Sequence, residues 1–196
     1  MTYSTADVMG RFAAWWEEAK ARLGVEEATA ACLATADGKG RPSARIVLVK
    51  EADAGGFLFF TNYNSRKGCE LAQNPQAALC FYWEPLGRQV RVEGRVEHAS
   101  ATQSDAYFAT RHPESRLGAW ASAQSEPLES REALLKRLET VKRQYAGEAI
   151  PRPPHWGGFR LVPERIEFWQ EGEYRLHDRD LFIRRGDGWE MQKLGP

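Results

Sequence analysis

Ala30-Ala31-Cys32-Leu33-Ala34-Thr35-Ala36, Asp37-Gly38-Lys39-Gly40 and the following segment 43–50 are the stretch that decides the fold. The first run is apolar, short and bounded, and reads as a buried strand. The Asp-Gly-Lys-Gly run is a turn, and 43–50 pairs back to complete a hairpin. Working outward, 57–61 is a third strand, and 77–83 and 88–98 are further ones. In 88–98, Val90, Val92 and Val96 alternate with Gln89, Arg91, Glu93 and Arg95, so one face is apolar and the other polar. Beyond Pro151–Pro154, strands return at 158–162, 165–170, 174–179, 181–184 and 189–194.

Helices punctuate these strands. Ser4 or Thr5 caps a first helix, whose Val8, Phe12, Trp15, Trp16, Ala19 and Leu23 recur at helical spacing before Gly24 stops it. A short helix spans 65–73 and ends at Asn74-Pro75. Ser100-Ala101-Thr102-Gln103 is a capping box for a helix that ends before His112-Pro113. An amphipathic helix over 130–146 turns Leu134, Leu135, Leu138, Val141 and Tyr145 inward. The expectation is one domain, mainly β with flanking helices (α+β). It has an N-terminal helix at 1–24, barrel strands at 30–98, a helical insertion at 100–146 and C-terminal strands at 156–196.

With 196 residues the chain can bury one sizeable core. Lys+Arg and Asp+Glu are 27 each, a balance that speaks against a nucleic-acid or membrane-surface protein. No membrane span or secretory leader is visible. The 3 cysteines, Cys32, Cys69 and Cys80, have no metal-ligand spacing, and a reducing cytoplasm is the natural compartment. Cys32 and Cys80 sit in apolar runs and read as buried small hydrophobes. Gly38-Lys39-Gly40 lacks the rest of a dinucleotide fingerprint. His98, His112 and His155 are assigned no chemistry.

Four segments could carry chemistry. Asn62-Tyr63-Asn64-Ser65 leads from a strand into a helix that opens with Arg66-Lys67. Helix-start amides and two cations suit a phosphate, though they equally suit a solvated helix start. Arg45 and Lys50 bound the apolar run Ile46-Val47-Leu48-Val49. Their spacing puts them on opposite faces of an ideal strand, so one must sit past the strand end or at a bulge if both touch one ligand. Tyr107 and Arg111 share a helix face, with Ser115 close behind; together they suit a phosphate monoester or form a plain packing pair. In Arg175-Leu176-His177-Asp178-Arg179, strand alternation puts Arg175, His177 and Arg179 on one face, where a cationic cluster needs an anion or is a surface charge ladder.

In this order these segments resemble the pyridoxamine 5'-phosphate oxidase family, over about residues 30–196. The resemblance is carried by Arg45 to Lys50, by Phe59-Phe60-Thr61-Asn62 with Ser65-Arg66-Lys67, and by Arg88-Gln89-Val90. It continues in Gly118-Ala119-Trp120-Ala121-Ser122 with Gln124-Ser125, and in Trp156-Gly157-Gly158-Phe159-Arg160. Ile166-Glu167-Phe168-Trp169-Gln170 with Arg175 to Arg179 is its most specific element.

The resemblance implies an FMN-binding split β-barrel that forms a homodimer, with FMN across the subunit interface, and oxidises a phosphorylated pyridine with O2. It implies that Arg45, Arg66 and Lys67 hold the FMN phosphate. Ile46, Val47, Leu48, Val49, Lys50, Phe60, Thr61, Gln89, Gln124, Ser125, Trp169 and Arg179 would line the rest of the flavin. Lys50, Tyr107, Arg111 and Ser115 would hold the substrate phosphate, with Arg175, Leu176 and His177 at the ring. Arg175 and His177 would be the catalytic pair, Arg175 orienting the reacting centre. A related flavin oxidase acting on another ring, such as a dihydrophenazine precursor, or a non-catalytic FMN or pyridoxal-phosphate binding protein, would carry similar segments.

The chain departs from the family pattern in places. Only Met1–Ala6 precede the first helix, so a substrate-covering lid is expected to be absent or reduced. Glu26-Glu27-Ala28 lacks the usual proline after the acidic residue. Arg116 stands where glutamine is common, and Phe60 where tyrosine is frequent.

Overall fold

The computed structural model describes residues 2–196. In chain order its strands are β1 (Thr2–Ser4), β2 (Ala30–Ala36), β3 (Pro42–Asp53), β4 (Gly56–Asn62), β5 (Gln76–Trp83), β6 (Arg88–His98), β7 (Trp156–Gln170), β8 (Asp178–Arg185) and β9 (Gly188–Lys193). Its helices are α1 (Thr5–Leu23), α2 (Val25–Thr29), α3 (Arg66–Gln73), α4 (Ala101–Thr110), α5 (Pro113–Ala121) and α6 (Arg131–Gln144).

The strands run antiparallel in the order β1-β9-β8-β7-β4-β3-β2-β5-β6, and β6 pairs back onto β7. That last pairing closes a barrel and removes its sheet edges. β7 makes the closure possible by its length. One of its edges serves β6 throughout, while the other pairs first with β4 (Phe57 opposite Leu161) and then with β8 (Ile166 opposite Phe182). Where β4 leaves and β8 joins, the sheet splits.

Alternation fills the barrel. Leu33, Val49, Phe57, Phe59, Leu79, Phe81, Val90, Val92, Leu161 and Ile166 have no exposed surface. α1 lays its apolar stripe over one end, and Phe12 meets Phe57 edge-on at 4.8 Å and Phe81 at 5.2 Å. The indoles of Trp16 and Trp83 both donate to the Ala28 carbonyl, at 3.0 and 3.1 Å, and tie α1 and β5 to α2.

Several expectations are corrected. The strand expected over 174–179 does not form. Glu173–Arg175 is a single 3-10 turn, Tyr174 and Arg175 take φ of 54° and 66°, and the strand starts only at Asp178. A Cβ on Gly172 would collide with the Leu176 carbonyl, so the chain doubles back too tightly for extended backbone. Arg175, His177 and Arg179 therefore do not share a strand face. The separate strands 158–162 and 165–170 are one. β7 runs through Pro163, which lies opposite Gly94 beside a register shift where Glu164 is the extra residue of β7, a bulge being a position that tolerates proline.

In α6, Leu134, Leu138, Val141 and Tyr145 are half-buried and Leu135 is 48% exposed, because the helix lies on the outside with α5 as its main support. Cys32 and Cys80 are half-buried, not core. They face one another across β2 and β5 on the outward side, since the inward positions go to Ala31, Leu33 and Leu79. α5 was not anticipated: Pro113 opens it and the His112 ring nitrogen caps it by accepting from Glu114 N at 3.2 Å, an uncommon capping residue.

Candidate active site

The site begins at the bulge in β3. Val49 pairs with Phe59 but Glu51 pairs with Leu58, so Lys50 is the extra residue. The shift meets the condition set by the Arg45 to Lys50 spacing. Lys50 joins Ile46, Val47 and Leu48 on the wall of a cavity of about 400 Å3, with Phe60, Thr61, Lys67, Tyr107, Arg111 and Gln124 completing it. Val49 points the other way and is core.

Three aromatic rings form one side. Phe60 and Tyr107 stack at 4.0 Å with planes 13° apart, and Trp156 lies parallel to Phe60 at 5.5 Å. The Arg111 guanidinium sits 4.8 Å from the Trp156 ring, and the Lys50 ammonium 6.0 Å from Tyr107. Ser115 lines an adjoining cavity of about 310 Å3, which shares Arg111 and Gln124 with the first.

The charges here are unbalanced. Lys67 is 7% exposed, and its ammonium donates to Thr61 Oγ1 at 3.0 Å and Ser65 Oγ at 3.3 Å. Among the described residues it has no carboxylate partner, and burial, reinforced by Arg45, pushes its pKa down from 10.5. Arg111 Nη1 is buried with no hydrogen-bond partner, and burial lowers the pKa of its guanidinium. Buried cations lacking counter-ions are costly unless a ligand supplies the anion. Thr61 passes its own hydroxyl hydrogen to Gln124 Oε1 at 3.3 Å, and Ser125 beside it holds a φ of 72°.

Arg45 and Arg66 do not line the cavity. Both bind Glu70, a carboxylate 5% exposed: Arg66 Nε at 2.9 Å and Arg45 Nη2 at 3.3 Å, with Thr35 and Ser43 at 2.5 and 2.6 Å. Burial would raise the pKa of Glu70, but these four donors hold it at about 2.

The remaining expected residues lie on β6, β7 and β8 and on the turn between β7 and β8. Gln89 is opposite Trp169, and Trp169 is opposite Arg179. The His177 ring lies 4.6 Å from Trp169 and accepts from Gly172 N at Nδ1, 3.2 Å. Arg179 is held by the buried Glu167 at 2.8 Å, and Glu167 also binds Arg91. Arg175 and Leu176 are exposed. None of the hydrogen bonds, ion pairs or ring contacts among the described residues joins this group to the cavity around Lys67 within one protomer.

Three residues were missed. Trp156 was quoted without a site role, although its stacking on Phe60 shapes the cavity. Glu70 was readable as the helical partner of Arg66 four positions on. Glu167 gave no sign, because an acidic residue on an alternating strand reads as solvated.

A closed antiparallel barrel with helices at its rim and an aromatic cavity at its wall defines a split barrel. Its solved likenesses agree. PhzG from Burkholderia lata 383, in complex with tetrahydrophenazine-1-carboxylic acid, superposes with a TM-score of 0.87 at 33% identity, over 98% of this chain and 93% of that one. A pyridoxamine 5'-phosphate oxidase-related, FMN binding protein from Nostoc punctiforme shares the fold, with a TM-score of 0.75 at 19% identity over 95% and 96%.

The family description "Pyridoxamine 5'-phosphate oxidase" matches residues 17–145, and "Pyridoxine 5'-phosphate oxidase C-terminal dimerisation region" matches 156–196. Proteins called pyridoxine/pyridoxamine 5'-phosphate oxidase are 54% identical in Myxococcus xanthus (97% of this chain, 92% of that protein) and 56% identical in Rubrobacter xylanophilus (97% and 87%). The chain belongs to the pyridoxamine 5'-phosphate oxidase family. No helix among the described residues is long and apolar enough to cross a membrane.

Proposed function

We propose that the chain is an FMN-dependent oxidase that converts pyridoxamine 5'-phosphate and pyridoxine 5'-phosphate to pyridoxal 5'-phosphate with O2, releasing H2O2. The observation that carries this reading is a pair of cations in one aromatic cavity, the buried Lys67 and the half-buried Arg111 with its buried Nη1, neither matched by a carboxylate among the described residues. Two such seats suit two phosphates. Lys67, backed by Arg45 and Arg66, fits that of FMN. Arg111, with Lys50, Tyr107 and Ser115, fits that of the substrate.

When bound, FMN supplies the hydride acceptor and hands the electrons to O2. The chain's own work is positioning. The guanidinium of Arg111 and the ammonium of Lys50 fix the substrate phosphate. The Phe60, Tyr107 and Trp156 stack excludes water from one side. Thr61, Gln124 and Ser125, with Ile46, Val47 and Leu48, would hold the rest of the flavin.

Arg175 and His177 sit apart from this cavity in one protomer, and the reading has a partner subunit deliver them. Three features support a homodimer: the C-terminal region matching a dimerisation region, and the outward Ile46 and Tyr82, 64% and 59% exposed. Each composite site then takes Lys50, Tyr107 and Arg111 from one subunit, and Gln89, Trp169, Arg175, His177 and Arg179 from the other. In this reading His177 contacts a ring substituent, and Arg175 orients the carbon that loses hydride.

A second reading, oxidation of a polycyclic carboxylate, is favoured by the likeness to PhzG. The higher identity to the phosphate oxidases favours the first. One assay separates them: protein, FMN and each phosphorylated vitamer in air, with aldehyde and peroxide followed together. Aldehyde and peroxide in equal amounts are expected. Flavin binding with neither product from either vitamer would leave a binding protein or an oxidase of another ring.

A further inference from the structure

Glu70 lies four residues after Arg66 on α3, so the two share a helix face. It also reaches the barrel. One carboxylate oxygen accepts from Arg66 Nε at 2.9 Å. The other accepts from Thr35 Oγ1 at 2.5 Å, Ser43 Oγ at 2.6 Å and Arg45 Nη2 at 3.3 Å. The same two hydroxyls accept from Arg45, through Nη1 at Thr35 and Nη2 at Ser43. Arg45 is thus tied to Glu70 directly and through two relays. A carboxylate offers about four acceptor sites, and four donors fill them. Glu70 has nothing left to offer a ligand.

Arg45, Arg66 and Lys67 with Glu70 leave two net positive charges. A phosphate monoester at neutral pH carries about −1.5 to −2. Without Glu70, three cations would crowd around Lys67, whose charge Arg45 already disfavours and Glu70 favours.

We propose that Glu70 is the positioning residue of the flavin-phosphate seat: it fixes the Arg45 and Arg66 guanidiniums relative to Lys67 and trims the seat to the charge of a phosphate dianion. This rests on the FMN reading given above. Glu70 touches neither flavin nor substrate; it acts through the two arginines.

The test compares FMN with riboflavin, which has the same ring and no phosphate. Apo wild type, Glu70→Gln and Glu70→Asp are titrated with each flavin at fixed salt, by quenching of flavin fluorescence. In Glu70→Gln the FMN dissociation constant should rise about tenfold or more, the scale of a lost charged hydrogen bond, while that for riboflavin moves less than about threefold. Glu70→Asp keeps the charge but cannot span both arginines, and should fall between. Inorganic phosphate should raise the melting temperature of apo wild type more than that of either variant.

An unchanged ratio of FMN to riboflavin affinity in Glu70→Gln overturns the proposal. If that variant does not fold, the ratio in Glu70→Asp decides in the same way. A wild type with no preference for FMN over riboflavin would overturn the flavin-phosphate seat itself, which is a separate failure.

Discussion

The buried Lys67 ammonium donates to the Thr61 hydroxyl at 3.0 Å, and among the described residues no carboxylate forms an ion pair with it. An apo protein with a buried, unmatched charge bears its desolvation cost. Lys67→Met should therefore raise the melting temperature of the apo protein, by about 2–4 °C for each kcal/mol relieved, while removing most of the rise that FMN brings. Thermal shift with and without FMN checks both halves. A less stable apo variant would mean that the ammonium is already satisfied.

Acid should find Glu70. Its carboxyl is held at about 2, below the 4.5 of an unconstrained one, so its bonds lend their full stability above pH 4.5. That stability declines below 4.5 and is gone once the pH has fallen through about 2. The gap in melting temperature between wild type and Glu70→Gln should be widest near neutrality and close in this window. Melting curves at pH 7, 5 and 3 decide it; a gap independent of pH would assign the acid loss to other carboxylates.

Phe12 is fully buried, and its ring meets Phe57, Phe81, Trp16 and Trp83. Phe12→Ala should cost about 3–5 kcal/mol in urea unfolding, because α1 cannot collapse into the cavity left under four rings. A cost below about 1 kcal/mol would show that α1 is dispensable to the barrel.

Arg175→Ala should keep FMN and lose most turnover, and Arg111→Ala should lose affinity for the phosphorylated substrate. If the two side chains serve one site from different subunits, unfolding the inactive variants together and refolding them should restore activity. Random pairing gives mixed dimers with one intact site, about a quarter of wild-type activity. No recovery, with mixed dimers present by mass spectrometry, would place both side chains in the same subunit's site.

Much of the barrel was legible because its strands alternate cleanly: Arg88–His98 was read with the bounds the structure gives. The hairpin of β2 and β3 and the capped helices α1, α3 and α4 were equally readable, each having its turn or cap in the sequence. What escaped depended on distant contacts. The tight turn through Tyr174 and Arg175 has no glycine at its left-handed positions to announce it. β7 could be seen as one strand only by knowing that Gly94 lies across from Pro163. Lys50, Tyr107, Arg111 and Ser115 were expected together; the first three line one cavity and Ser115 an adjoining one that shares Arg111. For Glu70 the sequence offered only its helical pairing with Arg66, not its burial beneath Arg45 from β3; Glu167 was not seen, because sequence pattern gives no hint that a carboxylate is buried between arginines of neighbouring strands.

The extra residue at Lys50 gives β3 a change of parity. Ahead of it, odd-numbered Val47 and Val49 face the core; beyond it, even-numbered Ala52 takes that side. Adding or deleting one residue between Arg45 and Lys50 would exchange lining for core along several positions at once. This strand can accept changes of letter far more readily than changes of length.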